Sequence, residues 1–296
     1  MAKKLLIPII IVLTVFVLAG IPQLISVDGN GVVFNWRVSL DSAVNYLKGL
    51  PSGQSFLFIA RKMPRNFLDL FPGYTLTSFI YLVIAAFLGL NLGIILGMFC
   101  SRLRSAVFKD AIGLFGIIPD FIIVLLLQRG VVYIQKATGI KVAKVVAMSL
   151  TEPAILLPLI TMSLIPALYL IRTVSNHTDF VLSREYIQGA RARGLAPLYI
   201  YLHHVFPNVL PFIKADMHKV AGMMLANLFI VEYLFNIYGI TRALFYYGFQ
   251  FVRYSYVVNY QYNFVVNVLF VIIFLYAALS LLMRGYILLL ERKFCR

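Results

Sequence analysis

Runs of about twenty apolar residues recur along this chain, and no other feature limits its possible folds so severely. A hydrocarbon layer about 30 Å thick is crossed by roughly 20 residues of helix. Inside it every backbone N–H and C=O must be satisfied within the structure, which leaves helices or closed barrels. The runs here are continuously apolar rather than alternating, so they read as helices. They cover Leu5 to Ile25, Tyr74 to Phe99, Ala111 to Ile134, Pro153 to Ile171, Pro211 to Leu234 and Asn263 to Met283. Apolar residues make up 61% of the chain and charged residues 12%, against about 45–50% and about 25% in soluble domains. The expected fold class is an all-α polytopic membrane protein with six transmembrane helices.

The first run follows Lys3 and Lys4, as the core of a signal peptide would. It is longer than an h-region of about 7–15 residues and no A-x-A-like site closes it, so a retained helix is expected. The domains are then 1–25, an N-terminal transmembrane helix; 26–72, an extracytoplasmic loop carrying Asp28, Arg37, Asp41, Lys48, Arg61, Lys62 and Arg65; and 73–296, a five-helix core. Six spans return both termini to one face. The short loops with Arg102, Arg104, Lys109, Arg184, Arg191 and Arg193 are the denser in basic residues, which puts that face in the cytoplasm. The formal net charge of +15 is thereby assigned to membrane lipid headgroups and not to nucleic acid.

Catalytic patterns are missing. His177, His203, His204 and His218 show no H-E-x-x-H spacing and no cysteine partners, so no metal site is expected. Cys100 and Cys295 are too few for a disulfide framework. The sequence has no G-x-S-x-G elbow, and without a Gly-Lys dipeptide it cannot form the phosphate-cradling loop. The chain is not expected to be an enzyme; any ATP used would be hydrolysed on another chain.

Two features inside the runs concern packing. Gly89, Gly93 and Gly97 form a small-residue ladder on one helix face, which lets a neighbouring backbone come close; the neighbour is either in this chain or in a second subunit. The intramembrane charges Asp120, Asp216 and Lys219 would each cost about 2.5–3.5 kcal/mol if left alone at a helix centre. Asp120 and Lys219 reach a similar depth and are expected to pair across helices. Asp216 with Lys219 (i,i+3) and Lys214 with His218 (i,i+4) offer local alternatives, and a water-filled path is the third.

The segment between the fourth and fifth runs reads Ser183-Arg-Glu-Tyr-Ile-Gln-Gly-Ala-Arg-Ala-Arg-Gly194, then Pro197, then His203-His-Val-Phe-Pro-Asn-Val-Leu-Pro211. Physically this is a short helix, a Gly stop, a Pro restart and a second helix entering the membrane. By itself it could be an ordinary basic connector at the headgroups. Its spacing, however, resembles the E-A-A-x-x-x-G-x9-I-x-L-P loop of the membrane subunits of binding-protein-dependent ABC importers. Gln188-Gly189-Ala190, Gly194, then His204 and Phe206-Pro207 stand at the matching positions, with Gln188 for Glu, Gly189 for the first Ala, His204 for Ile and Phe206 for Leu. REYIQGARARGL, HHVFPNVLP, Val231-Glu-Tyr-Leu-Phe235 with Gly239 and Arg242, and SLDSAVNYLKGL are similar to the dipeptide/oligopeptide/nickel permease branch, B-type subunit.

The resemblance implies a type I ABC importer permease fold. It implies a cytoplasmic coupling loop at about 174–207 that sits in a groove of the ATPase through Glu185, Gln188, Gly189, Ala190, Arg191, Arg193, Gly194 and Pro207. The partners it implies are a homologous C-type permease subunit, two ABC ATPase subunits and an extracytoplasmic substrate-binding protein. ATP and Mg would be bound by the ATPases, and this chain would hold no cofactor. The cargo would be di- or oligopeptides, or alternatively nickel or a metal chelate, crossing the bacterial cytoplasmic membrane. Outside that family, the intramembrane charges would suit a self-contained secondary transporter, and a non-transporting scaffold is a third class. The aromatic-rich stretch Phe245 to Phe264 reads as an interfacial belt or as a surface for the binding protein or its cargo.

Overall fold

The computed structural model describes residues 2–28, 31–60, 62–103, 118–149, 151–251 and 258–294. The elements run α1 (Ala2–Leu24), β1 (Ile25–Asp28), β2 (Gly31–Phe34), α2 (Trp36–Gly49), β3 (Leu57–Ala60), β4 (Met63–Asn66), α3 (Phe67–Leu103), α4 (Asp120–Thr138), α5 (Leu156–Leu182), α6 (Glu185–Ala192), α7 (Pro197–Ile200), α8 (Phe206–Leu234), α9 (Ile240–Ala243), β5 (Phe249–Phe251), β6 (Val258–Tyr260) and α10 (Tyr262–Phe294). The strands form three antiparallel hairpins, β1–β2, β3–β4 and β5–β6.

Among the described residues, five helices are long and apolar enough to cross a membrane, within α1, α3, α4, α5 and α10. The sixth expected span, α8, has 29 residues, about 43 Å at ~1.5 Å per residue, so its length suffices. Lys214, Asp216, His218 and Lys219 set it apart in hydropathy.

Helix ends follow local breakers, which apolar runs do not mark. The third run was expected at Ala111 to Ile134; the described helix is Asp120–Thr138, and residues 104–117 lie outside the described residues. Pro119, with φ −59° and ψ 139°, is its N-cap and accepts from the amides of Ile122 and Ile123. Gly139, at φ +73°, closes the other end by donating to the Gln135 carbonyl. Helix α5 continues past Ile171 to Leu182 because nothing from Arg172 onward breaks it, so the first residues of the segment expected at about 174–207 are helical.

The chain divides into two compact units, residues 1–78 with 238–274, and residues 79–237 with 275–296. In the first, the segment 26–72 is built of hairpins and α2 rather than open loop. Tyr46 Oη donates to Asn267 Oδ1 (2.7 Å), Asn267 Nδ2 to the Ser55 carbonyl (2.9 Å), and Ser55 Oγ to the Tyr46 carbonyl (2.5 Å). Burial pushes the Tyr260 hydroxyl above the ordinary tyrosine range. Tyr260 Oη donates to the Ala19 carbonyl. Phe58 packs its ring 5.3 Å from Tyr247 and 4.8 Å from Phe264, whose ring also meets Phe67 at 5.6 Å. The Gln261 amide acts as a strand, accepting from Ile59 N (2.6 Å) and donating to the carbonyls of Ile59 and Tyr247 (both 2.8 Å). The aromatics of 245–264 are therefore divided: Tyr262 and Phe264 are buried, while Phe245 and Tyr246 are exposed. Tyr254 and Tyr256 lie outside the described residues.

In the second unit α3 packs on α5 through the glycine ladder. A Cβ on Gly89 would stand 3.0 Å from Pro166 Cγ, one on Gly93 2.5 Å from Leu170 Cβ, and one on Gly97 2.7 Å from Val174 Cβ. Of the two partners expected for the ladder, the neighbour is within this chain. Lipid tails are as apolar as the side chains, so close van der Waals contact holds such helices together rather than transfer from water. Leu170, Leu210, Ile213, Met217, Met224 and Leu228, from α5 and α8, are fully buried, and Asn227 Nδ2 donates to the Thr161 carbonyl between the same helices (3.2 Å).

Candidate functional site: a coupling segment and a charged helix

The segment after α5 turns sharply because its residues allow nothing else. α6 is eight residues long, with Glu185 in its first turn and Arg191 in its last, both favourable to the helix dipole. Gly194 at φ +75° ends it in a Schellman motif: Gly194 N donates to the Arg191 carbonyl (2.9 Å) and Leu195 N to that of Ala190 (3.4 Å). Arg193 Nε reaches back to the Gly189 carbonyl (3.3 Å). Pro197 then starts α7. A widened π-type turn, Tyr201–Val205, joins α7 to α8, directly ahead of Pro207, which has no N–H to continue a regular ladder. Tyr199 stacks on His203 across it, with ring centroids 4.2 Å apart.

α6 has two faces. Ile187 and Ala190, three residues apart, are both at 0% exposure and anchor the helix to the chain. Glu185, Gln188, Gly189, Arg191, Arg193 and Gly194 are exposed, and Pro207 is half-buried. A Cβ placed on Gly189 or Gly194 would meet nothing within 4 Å. Gly194 is thus required by its backbone angle, whereas no contact within the chain requires Gly189 to be small. Ala190 packs toward its own chain.

The structure also changes the pairing of the charged residues. Among the described residues no ion pair joins Asp120 to Lys219, and neither local alternative on α8 forms. Asp120 opens α4, so it does not share the depth assumed for it in mid-span. On α8 the partners come from other helices. Tyr169 of α5 donates to Asp216 Oδ2 (3.0 Å), and its ring lies 4.4 Å beneath Lys219 Nζ. Lys214 Nζ pairs with Glu291 Oε2 of α10 at 2.8 Å. His218 Nε2 meets the Arg284 guanidinium and its Nδ1 meets Tyr276 Oη (3.4 Å). The chemistry is positional: these charges are held in place. Asn208, Pro211, Phe212, Ala215, His218, Lys219, Gly222 and Ala226 form an exposed stripe along α8. Tyr169, Tyr276, Arg284 and Glu291 were not legible as site residues. They are remote in sequence, and only the excess charge on α8 signalled that such partners had to exist.

A short, exposed helix ended by a Gly turn is what the loop resemblance implies. Residues 89–295 match the family described as binding-protein-dependent transport system inner membrane component. The chain belongs to this family. Its relatives include the nickel import system permease protein NikB of Staphylococcus aureus (strain bovine RF122 / ET3-1), 29% identical over 174 residues, 58% of this chain and 50% of NikB. The dipeptide transport system permease protein DppB of Bacillus subtilis (strain 168) is 29% identical over 167 residues, 54% of this chain and 50% of DppB. The aligned stretch spans about half the length of these curated relatives. A structure of the MetNI methionine ABC transporter in inward-facing conformations is similar with a TM-score of 0.53 at 12% identity, over 76% of this chain and 97% of that one. The inner membrane component therefore has the type I ABC importer fold and is a multi-pass integral membrane protein.

Proposed function

We propose that the chain is the permease subunit of an ATP-driven importer and that α6 is the element on which separate ATPase subunits act. The observation that carries this reading is the two-sided α6: Ile187 and Ala190 fix it to the chain, while Gln188, Gly189, Arg191 and Gly194 present a small, cationic outer surface with open space above it. Such a helix can enter a groove on a partner and transmit its motion through the turn at Tyr201–Val205 into α8. The partners in this reading are a homologous C-type subunit, two ATPases that bind ATP and Mg, and a substrate-binding protein outside the membrane. The termini and α6 share the cytoplasmic face of a bacterial membrane, and α2 lies toward the other. The exposed stripe of α8 borders the path between the two membrane subunits.

The cargo in this reading is a di- or oligopeptide, as the name of DppB suggests. NikB, at the same 29% identity, supports nickel or a nickel chelate as a second reading. The test is uptake by the assembled complex of labelled dipeptide against radioactive nickel. Gly194→Trp should abolish ATP-driven uptake of whichever cargo the wild type carries while membrane insertion and expression persist. Full uptake in Gly194→Trp at normal expression removes the coupling role.

A further inference from the structure

We propose that α2 is a re-entrant interfacial helix whose Trp36, Leu40, Val44 and Leu47 lie against the lipid acyl chains of the leaflet at the C-terminal end of α1. This goes beyond the importer reading and needs only that the chain be a membrane protein.

Depth is the first argument. The apolar stretch of α1, Leu6–Leu24, is 19 residues long, about 28 Å at ~1.5 Å per residue. That is close to the full thickness of a hydrocarbon core, so Phe16 and Gly20 lie inside it. The amide of Asn35 donates to the Leu24 carbonyl (2.8 Å), which fixes the start of α2 at the end of α1. From there α2 folds back along α1. Ser39 Oγ stands only 2.0 Å from where a Gly20 Cβ would be, and the Tyr46 ring is 5.7 Å from that of Phe16. Gly20 and Phe16 precede Leu24 by four and eight residues, so Ser39 and Tyr46 sit about 6 Å and about 12 Å below the end of α1. The bond from Tyr46 to Asn267, five residues into α10, gives a shallower depth of about 7 Å from that helix.

The second argument is the division of faces. At 3.6 residues per turn, Ser39, Tyr46 and Gly49 turn toward the unit, and Tyr46 and Gly49 are buried. Arg37, Asp41, Asn45 and Lys48 form an exposed polar stripe. Between these two faces Trp36, Leu40, Val44 and Leu47 fill an arc of about 80°, each 46–54% exposed. A chain segment at hydrocarbon depth cannot leave such an arc in water. Exposed Val17 and Ile21 of α1 lie at the same level, so the apolar stripe shares its depth with the lipid-facing surface of that helix. Arg37, at the start of α2 beside the end of α1, reaches the headgroups, with Trp36 at the boundary where tryptophan accumulates.

The chain contains a single tryptophan, Trp36, so the unmodified protein reports on α2 directly. The full chain is reconstituted into phosphatidylcholine vesicles doped with lipid brominated high on the acyl chain, and its emission is compared with and without aqueous iodide. The expected result is loss of at least half the emission to brominated lipid and little to iodide. Quenching by iodide but not by brominated lipid means the face is wet and overturns the proposal. Quenching by neither means that protein, a second copy of the chain for instance, covers the face, and overturns it equally. A nitroxide at Val44→Cys, with Cys100 and Cys295 replaced by serine, should collide more with oxygen than with a water-soluble nickel chelate, and should lie deeper than one at Trp36→Cys. The reverse order of depth overturns the fold-back geometry.

Discussion

Replacing Gly93 with alanine should destabilise the protein, although alanine is the better helix former. The new Cβ would stand 2.5 Å from Leu170 Cβ and 3.3 Å from the Ala167 carbonyl oxygen. Carbon atoms rest about 3.5–4.0 Å apart, so α3 and α5 must separate by about 1 Å along the ladder. Overpacking of this kind costs about 1–3 kcal/mol, and the gain in helix propensity returns about 0.8–1.0 kcal/mol. The net loss is about 1 kcal/mol. Gly97→Ala, with 2.7 Å to Val174 Cβ, should lose less, and Gly89→Ala, with 3.0 Å to Pro166 Cγ, least. Gly285, in α10, has nothing within 4 Å of its would-be Cβ, so Gly285→Ala keeps only the propensity gain and should stabilise.

The opposite signs make the series informative. Cys100, buried at 3% exposure on α3, becomes reactive when the helices part. A fluorogenic thiol reagent therefore follows thermal unfolding in detergent, on a Cys295→Ser background. A change of 1 kcal/mol corresponds to about 2–4 °C at this chain length. The expected order of midpoints is Gly285→Ala, wild type, Gly89→Ala, Gly97→Ala, Gly93→Ala. If Gly93→Ala unfolds at or above the wild-type temperature alongside Gly285→Ala, the close contact of α3 and α5 is wrong.

Lys214→Met and Glu291→Met should each lower the same midpoint, and the double substitution should lose less than their sum by about 1 kcal/mol; strict additivity would deny the 2.8 Å pair. Tyr169→Phe keeps the ring beneath Lys219 but loses the bond to Asp216, at a cost of about 1 kcal/mol, and Tyr169→Leu should cost more because the cation–π contact goes as well. Equal midpoints for the two variants would show the ring contact to be worthless. Gln261→Ala removes three hydrogen bonds to Ile59 and Tyr247 and should speed amide exchange at Leu57–Ala60 at least tenfold, with unchanged protection counting against the strand-like role of its amide.

The membrane-crossing helices were legible because the bilayer imposes a requirement that each segment meets by itself, in about 20 residues. Their ends were less so. Pro119 and Gly139 bound α4 by backbone geometry, which an average over apolar residues does not register. The turn after α6 was legible for the opposite reason: Gly194 and Pro197 act within a few residues, so the stop and restart could be placed from spacing alone. The pairing of charges was not. It rested on depths counted from assumed span ends, and Asp120 proved to be the first residue of its helix. The true partners come from 47, 77 and 66 positions away, in Tyr169–Asp216, Lys214–Glu291 and His218–Arg284, and no local pattern carries such information. The aromatic stretch near residue 250 failed in the same way, since the rings that receive Tyr247 and Phe264 include Phe58 and Phe67.

The charges of α8 also limit what can lie beside it. Lys219 is thirteen residues past Phe206, about 20 Å along the helix, too far from either end for its stem to reach the headgroups. Facing lipid there, it would cost about 2.5–3.5 kcal/mol. An exposed cation–π contact of the kind it makes with Tyr169 returns only about 0.5–1 kcal/mol, so the account does not close against lipid. His218 adds a second exposed polar group on the same stripe. Ala215, Gly222 and Ala226 leave the rest of that stripe nearly flat, a surface that gains little from lipid tails but admits another helix or a file of water. The length of α8 suffices to cross a membrane, and Lys219 makes its outer face unfit for lipid. The second membrane subunit proposed above, bordering an aqueous path, would keep that charge out of hydrocarbon.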